Sequence, residues 1–153
     1  MDTNLPSIFV VIPAYQAQAR IAEVIATIPD WIAQIIVVED GGSDATADVV
    51  NRLAESTSRV HLIRHTANQG VGGAMLSGYQ AAVERGAEII VKIDSDGQMD
   101  PDYLLLLVQP ILQGKADYTK GNRFLHATAL KSMPLLRQVG NLALSFMLKL
   151  ASG

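Results

Sequence analysis

Asp94 and Asp96 stand one residue apart directly after the apolar run Ile89-Ile90-Val91-Lys92-Ile93. If the run is a strand, its extended backbone points both carboxylates to the same side, where they can share one ion. No His or Cys lies nearby, and hard oxygen ligands of this kind select Mg²⁺ or Mn²⁺ rather than zinc. Mg²⁺ normally takes only one or two carboxylates, so phosphate and water would complete its shell. The competing reading is that Asp94-Ser95-Asp96-Gly97 is a polar turn closing a strand. The wider pattern bears on the choice. Three other apolar runs end in Pro13-Ala14-Tyr15, in Glu39-Asp40-Gly41-Gly42-Ser43-Asp44, and shortly before Asn68-Gln69-Gly70. Acids gathered on one edge repel unless a cation or a set of donors neutralises them. Asp40 can accept an N–H of a nucleobase whose ring packs on Tyr15, or Glu39 and Asp40 can simply be turn formers. The Asn68–Gly73 segment is either a tight helix entrance or a helix N-terminus with exposed amides beside a ligand.

These residues must be positioned by the elements between them. Short apolar runs alternate with helical spacing, the signature of an α/β fold with a mostly parallel central sheet. Strands are predicted at Ile8–Ile12, ended by Pro13, and at Ile35–Val38, Val60–Arg64 and Glu88–Ile93, with a short fifth at Tyr118–Lys120. Ile21, Val24, Ile25 and Ile28 share one helix face that Pro29 closes. Asp44 caps a second helix that turns Val49, Val50 and Leu53 inward. In a third, Ala74, Gly78, Ala81 and Ala82 form a small-residue stripe for close packing on the sheet, and Gly86 stops it. Asp100 and Pro101 open a fourth with Leu104, Leu107, Val108 and Ile111 on one face, bent or ended by Pro110. Leu136, Val139, Ala143, Phe146 and Leu150 predict a C-terminal helix. Cut off from a covering part, it would drive homodimerisation or association with a membrane surface.

At 153 residues, 49% apolar, the chain suits one domain with a real core. Its formal charge of −3, without a basic stripe, argues against a nucleic-acid partner. The absence of cysteine suits a reducing compartment. No signal peptide is apparent at the N-terminus, and the late apolar stretch between Arg137 and Lys149 is shorter than the roughly 20 residues of a membrane span. The expectation is a cytoplasmic protein, at the cytoplasmic face of a membrane if lipid-directed.

Taken in order, VIPAYQ, VVEDGGSDAT, NQGVGGAMLSGYQAA, IDSDGQMDP and KGNRF resemble the successive motifs of family 2 glycosyltransferases, in particular the dolichol-phosphate mannosyltransferase-like branch. The likeness covers residues 8 to about 137, and five ordered motifs are far more specific than any one. It implies the GT-A fold, a Rossmann-like α/β/α sandwich, with this chain as the nucleotide-sugar-binding part and the acceptor-binding part lying beyond Gly153. It also implies inverting transfer from a UDP- or GDP-sugar to a lipid phosphate or saccharide acceptor. By this resemblance Pro13, Ala14, Tyr15, Val38, Glu39 and Asp40 belong to the nucleoside pocket, with Asn68 and Gly70 beside it. Asp94 and Asp96 are the metal pair, Ser95 and Gln98 flank the diphosphate and sugar, and Arg123 and Arg137 serve the phosphates. Gln16 and Ala17 depart from the Asn and polar residue common in the family.

A dinucleotide-binding dehydrogenase would need G-x-G-x-x-G after the first strand, where Pro13-Ala14-Tyr15 stands; the later Gly70-x-Gly72 has Met75 in the third place. A receiver domain would need its acidic pair after the first strand. A sugar-1-phosphate nucleotidyltransferase would show a glycine- and basic-rich loop there. The remaining alternative is a non-catalytic module that binds nucleotide or a partner protein.

Overall fold

The structure is a computed structural model that describes residues 6–121. The chain divides into two compact units, Met1–Ala116 and Asp117–Gly153, and every element below lies in the first. Four parallel strands, β1 (Ile8–Ala14), β2 (Gln34–Glu39), β3 (Val60–Arg64) and β4 (Ile89–Lys92), form one sheet in the order β3-β2-β1-β4. Four α-helices connect or follow them: α1 (Ile21–Thr27), α2 (Thr46–Ser56), α3 (Gly70–Glu84) and α4 (Leu104–Leu112), the last preceded by a 3₁₀ turn at Pro101–Tyr103.

Strands buried on both faces read as continuous apolar runs, and each face has its own core. Ile8, Val10, Ile12, Ile35 and Val37 pack with α1, α2 and α4. Phe9, Val11, Ile36 and Val38 pack instead with Ala74, Met75 and Ala82 of α3. The predicted small-residue stripe is what brings α3 close: a Cβ on Gly78 would lie 2.3 Å from Val11 Cγ1 and 3.2 Å from Val38 Cγ2. Gly86, at φ +84°, ends α3 as expected, its N–H donating to Val83 O at 3.0 Å and that of Ala87 to Ala82 O at 2.9 Å.

Several boundaries differ from the sequence expectation. β1 runs through Pro13 to Ala14. The missing N–H is tolerated because β4 has ended: Ile93 N donates to Val11 O at 3.1 Å, and the next rung on that side would need the proton Pro13 lacks. Pro110 does not end α4, because one absent donor near the C-terminus leaves the following turns closed, and the helix stops at Gly114 with φ +65°. No strand forms at Tyr118–Lys120: the triplet favours extended backbone, but a strand needs a ladder. The predicted C-terminal helix, with Arg123 and Arg137, lies outside the described residues. Among the described residues no helix is long and apolar enough to cross a membrane.

Candidate functional site

The chain moves from β1 to β2 to β3 in one direction and then returns to place β4 on the other side of β1. The strand order reverses between β1 and β4, with α1 after β1 on one face of the sheet and α3 before β4 on the other, and at such a reversal parallel sheets bind ligands beyond the strands' carboxyl ends. The β1–β4 ladder ends before Pro13. A cleft of about 310 Å³ lies there, near the lower end for small-molecule sites. Of the predicted residues it gathers Pro13, Ala14, Tyr15, Asp40, Asn68, Gly70, Asp94, Ser95 and Asp96, to which Val71 and Ala74 of α3 are added.

Glycines fit the loops above the sheet to one another. Gly41 has φ +67°, and a Cβ there would lie 2.5 Å from the Ala67 carbonyl carbon. A Cβ on Gly42 would lie 2.9 Å from Glu39 Oε1. Asp44 ties the first loop to the second: its Oδ1 accepts from the Thr46 hydroxyl at 2.6 Å and the Thr46 N–H at 3.1 Å, and its Oδ2 from Gln18 N–H at 3.1 Å. Thr46 Oγ1 in turn accepts from Ala17 N–H at 2.8 Å. Asp44 is not the cap residue itself: α2 begins at Thr46 with Ala45 in the cap position, and Asp44, one residue earlier, accepts from the first helical amide. Burial acts to raise the Asp44 pKa, but the Thr46 hydroxyl and the Gln18 and Thr46 amides together bring it below the ordinary value. A folded-state pKa below the unfolded one gives stability that is present above about pH 4 and is lost as pH falls through the folded value. Asp44→Ala is therefore expected to cost about 1 kcal/mol at pH 7, with the gap from the parent closing as the pH drops below about 4. Urea unfolding of both proteins across pH 3–7 checks this.

Asp40 is almost fully buried and sits at the hub of the opposite wall. Its Oδ1 accepts from Gln69 N–H at 2.9 Å and lies 2.7 Å from His65 Nδ1, whose Nε2 is 2.9 Å from Ser77 Oγ. Burial works to raise the Asp40 pKa; the Gln69 amide, the His65 hydrogen bond and charge, and the Gly70 amide outweigh it, and the carboxyl lies below its ordinary value. The helix-start amides expected to stand open are thus partly taken: Gln69 N–H by Asp40, and Gly70 N–H by Asn68 Oδ1 at 2.8 Å.

The third wall is the turn after β4. Lys92 Nζ lies 2.5 Å from Asp94 Oδ1, and Asp96 Oδ1 accepts from Gln98 N–H at 3.0 Å. Arg20 Nη1 donates to the Asp96 carbonyl at 3.0 Å, pinning the turn to the start of α1. The chain therefore answers much of the predicted charge crowding with its own groups: Arg64 at 3.4 Å from Glu39 Oε2, His65 on Asp40 and Lys92 on Asp94. Asp96 Oδ1 has the Gln98 amide, and among the described residues no cation pairs with this carboxylate. Among the described residues no three His, Cys, Asp or Glu side chains gather as a metal site made by protein alone. The donor set fits an ion that takes one or two carboxylates and fills its shell with phosphate and water.

Three predicted residues stand apart from the cleft. Val38 is buried against α3. Glu39 is buried beneath the second loop, its Oε1 accepting from Gly42 N–H at 2.5 Å. Gln98 lines a neighbouring cavity of about 280 Å³ with Arg20, Val24 and Met99, which shares Asp94 with the cleft. His65, Ser77, Arg20 and Lys92 contribute to the site without having been predicted. His65 alone carried a visible signal, since it follows β3 directly and so occupies a strand end.

The sequence model described as "Glycosyl transferase family 2" matches residues 9–151. A UDP-N-acetylglucosamine–dolichyl-phosphate N-acetylglucosaminyltransferase of Methanococcus voltae is 36% identical over 95% of this chain and 63% of its own length. The chain thus spans less than two thirds of that relative. A mannosyltransferase from Pyrobaculum calidifontis, in complex with GDP-Man and Mn²⁺, superimposes with a TM-score of 0.53 at 27% identity, over 61% of this chain and 28% of its own. Glucosyl-3-phosphoglycerate synthase from Mycobacterium tuberculosis, with Mn²⁺, UDP and glucosyl-3-phosphoglycerate, gives 0.54 at 27% identity, over 70% of this chain and 40% of its own. The fold is GT-A.

Proposed function

Since the chain belongs to glycosyl transferase family 2, we propose that it forms the nucleotide-sugar-binding part of an inverting glycosyltransferase, with the cleft between the ends of β1 and β4 as the donor site. One observation carries the reading: Tyr15 and Asp40, suited to a nucleobase, and Asp94 and Asp96, suited to a cation–diphosphate, line the same cleft. Tyr15, half exposed, packs on the base and Asp40 accepts its N–H. Asp96, with which no cation pairs among the described residues, would be the principal holder of Mg²⁺ or Mn²⁺, with Asp94 beside it. Ser95 lies beside the diphosphate, and Gln98 reaches the sugar from the adjoining cavity. Arg123 and Arg137 hold phosphate oxygens, a task for which the planar guanidinium fork is suited.

When bound, the cation supplies Lewis-acid stabilisation of the charge that develops on the departing nucleoside diphosphate. The residues of the chain orient this donor. Arg20 fixes the backbone of the Asp94–Asp96 turn, and the base pocket anchors the far end, so the anomeric carbon is held for attack from the opposite face. A polyprenyl phosphate acceptor brings an oxygen that is already anionic and needs no strong general base; this, with the dolichyl-phosphate relative, supports a lipid phosphate at the cytoplasmic membrane face over a saccharide.

Calorimetric titration of UDP and GDP into the full chain, with and without Mn²⁺, tests the site. Binding of at least one nucleotide that requires Mn²⁺ is expected, and no binding of either overturns the assignment. Release of nucleotide from a nucleotide sugar separates an enzyme from a module that only binds.

A further inference from the structure

We propose that His65, steadied by Ser77, makes Asp40 a single-oxygen acceptor and thereby selects a uracil over a guanine nucleotide. The inference rests on the donor-site reading above and adds to it a residue and a choice of base.

Asp40 is ionised, so it can only accept hydrogen bonds, and the 2.7 Å contact therefore places a proton on His65 Nδ1. His65 Nε2 lies 2.9 Å from the Ser77 hydroxyl, a second hydrogen bond that holds the ring. Ser77 belongs to α3, whose packing on β1 and β2 is set by Gly78 one residue on. The ring is thus locked at both nitrogens by rigid elements. The array resembles the order of a serine hydrolase triad, yet Ser77 is not among the residues lining the cleft, so the array acts on the carboxylate rather than through the hydroxyl. Its effect is to saturate Oδ1, which receives both His65 and the Gln69 N–H at 2.9 Å. Asp40 lines the cleft, both close contacts of its carboxylate fall on Oδ1, and Oδ2 is the oxygen that this proposal assigns to the base.

The two candidate bases ask different things of a carboxylate. Guanine presents N1–H and the exocyclic N2–H side by side, a pair that is matched by two available oxygens. Uracil presents the single N3–H between two carbonyls and is matched by one. With Oδ1 occupied, guanine's second donor meets an oxygen that already accepts twice and is left poorly paired, a costly outcome in a buried site.

The test is calorimetric titration of UDP and GDP, each with Mn²⁺, into the full chain and its H65L, H65N and D40A variants. The parent is expected to bind UDP about tenfold more tightly than GDP. H65L frees a lone pair of Oδ1 and should strengthen GDP about tenfold while leaving UDP little changed, so that the preference collapses. H65N, whose side-chain amide nitrogen takes the place of Nδ1, should restore the preference, which a merely structural role for the histidine would not require. Equal affinities or a GDP preference in the parent overturns the proposal, as does a UDP preference that survives in H65L. Should H65L fail to show a cooperative thermal transition, S77A decides: a UDP preference narrowed a few-fold supports the proposal and an unaltered one overturns it. Loss of UDP binding in D40A with no effect at His65 removes this proposal alone. UDP binding that D40A leaves unchanged, or no nucleotide binding by the parent, removes the donor-site reading as well.

Discussion

Asp96→Asn is expected to lower Mn²⁺-dependent nucleotide affinity on the order of a hundredfold, while the thermal unfolding midpoint stays within a degree or two. Substitutions that merely support a metal ligand cost 10- to 100-fold, and a direct ligand belongs at the upper end. The change removes a charge with almost no change in volume. The amide oxygen can still accept from Gln98 N–H, so the turn after β4 keeps its shape. Removing an acid from a crowded edge even relieves a little repulsion. The variant therefore separates the site from the fold. Asp94→Asn makes a useful contrast, because Lys92 already sits on that carboxylate; a smaller loss there would identify Asp96 as the principal ligand. Equal affinities for the parent and Asp96→Asn would remove the metal assignment.

The second large effect is on stability. Gly78→Leu should cost about 3 kcal/mol and lower the thermal midpoint by roughly 10 °C. Two effects compete. Replacing glycine within a helix gains about 1 kcal/mol of propensity, but the new Cβ alone would lie 2.3 Å from Val11 Cγ1 and 3.2 Å from Val38 Cγ2. Both valines are fully buried in adjacent strands and have little room to yield. Overpacking wins. Nucleotide binding should fall as well, since Val11 and Val38 lie two residues before Pro13 and Asp40 in the cleft wall. Gly72→Ala in the first turn of the same helix is the opposite case: nothing lies within 4 Å of its Cβ, so only propensity acts and a gain of up to about 1 kcal/mol is expected. Thermal unfolding of the two variants should move in opposite directions; a stabilised Gly78→Leu would mean that α3 does not seat as closely as described.

The four strands were legible because each is buried on both faces and reads as an unbroken apolar run. Knowing where those runs end was enough to find most of the cleft. The errors come from equating the end of a run with the end of a strand. Hydrophobicity stops at Val38, which places Glu39 beyond the strand end, but β2 continues one residue further. Still in the strand, Glu39 follows the alternation of Ile35 and Val37 and goes beneath the second loop, whereas Asp40, just past the strand, turns into the cleft. Val38 obeys the same alternation toward α3. The hub around Asp40 was less accessible, since His65 is 25 residues away and Ser77 a further 12. Such pairings depend on strand order, which local pattern does not supply. The same holds for Arg20, which reaches the Asp96 carbonyl across 76 residues. Lys92 stands two residues before Asp94, but only its rotamer makes it a partner, and sequence does not give rotamers.

A crystal of the full chain grown with UDP and Mn²⁺, with diffraction collected to reveal the anomalous signal of manganese, puts the proposed donor site to its most direct trial. A manganese peak within ligand distance of Asp96, bridging to the diphosphate with the base beside Tyr15 and Asp40, is the result expected. Nucleotide lodged elsewhere, or a manganese peak away from the turn after β4, would contradict it.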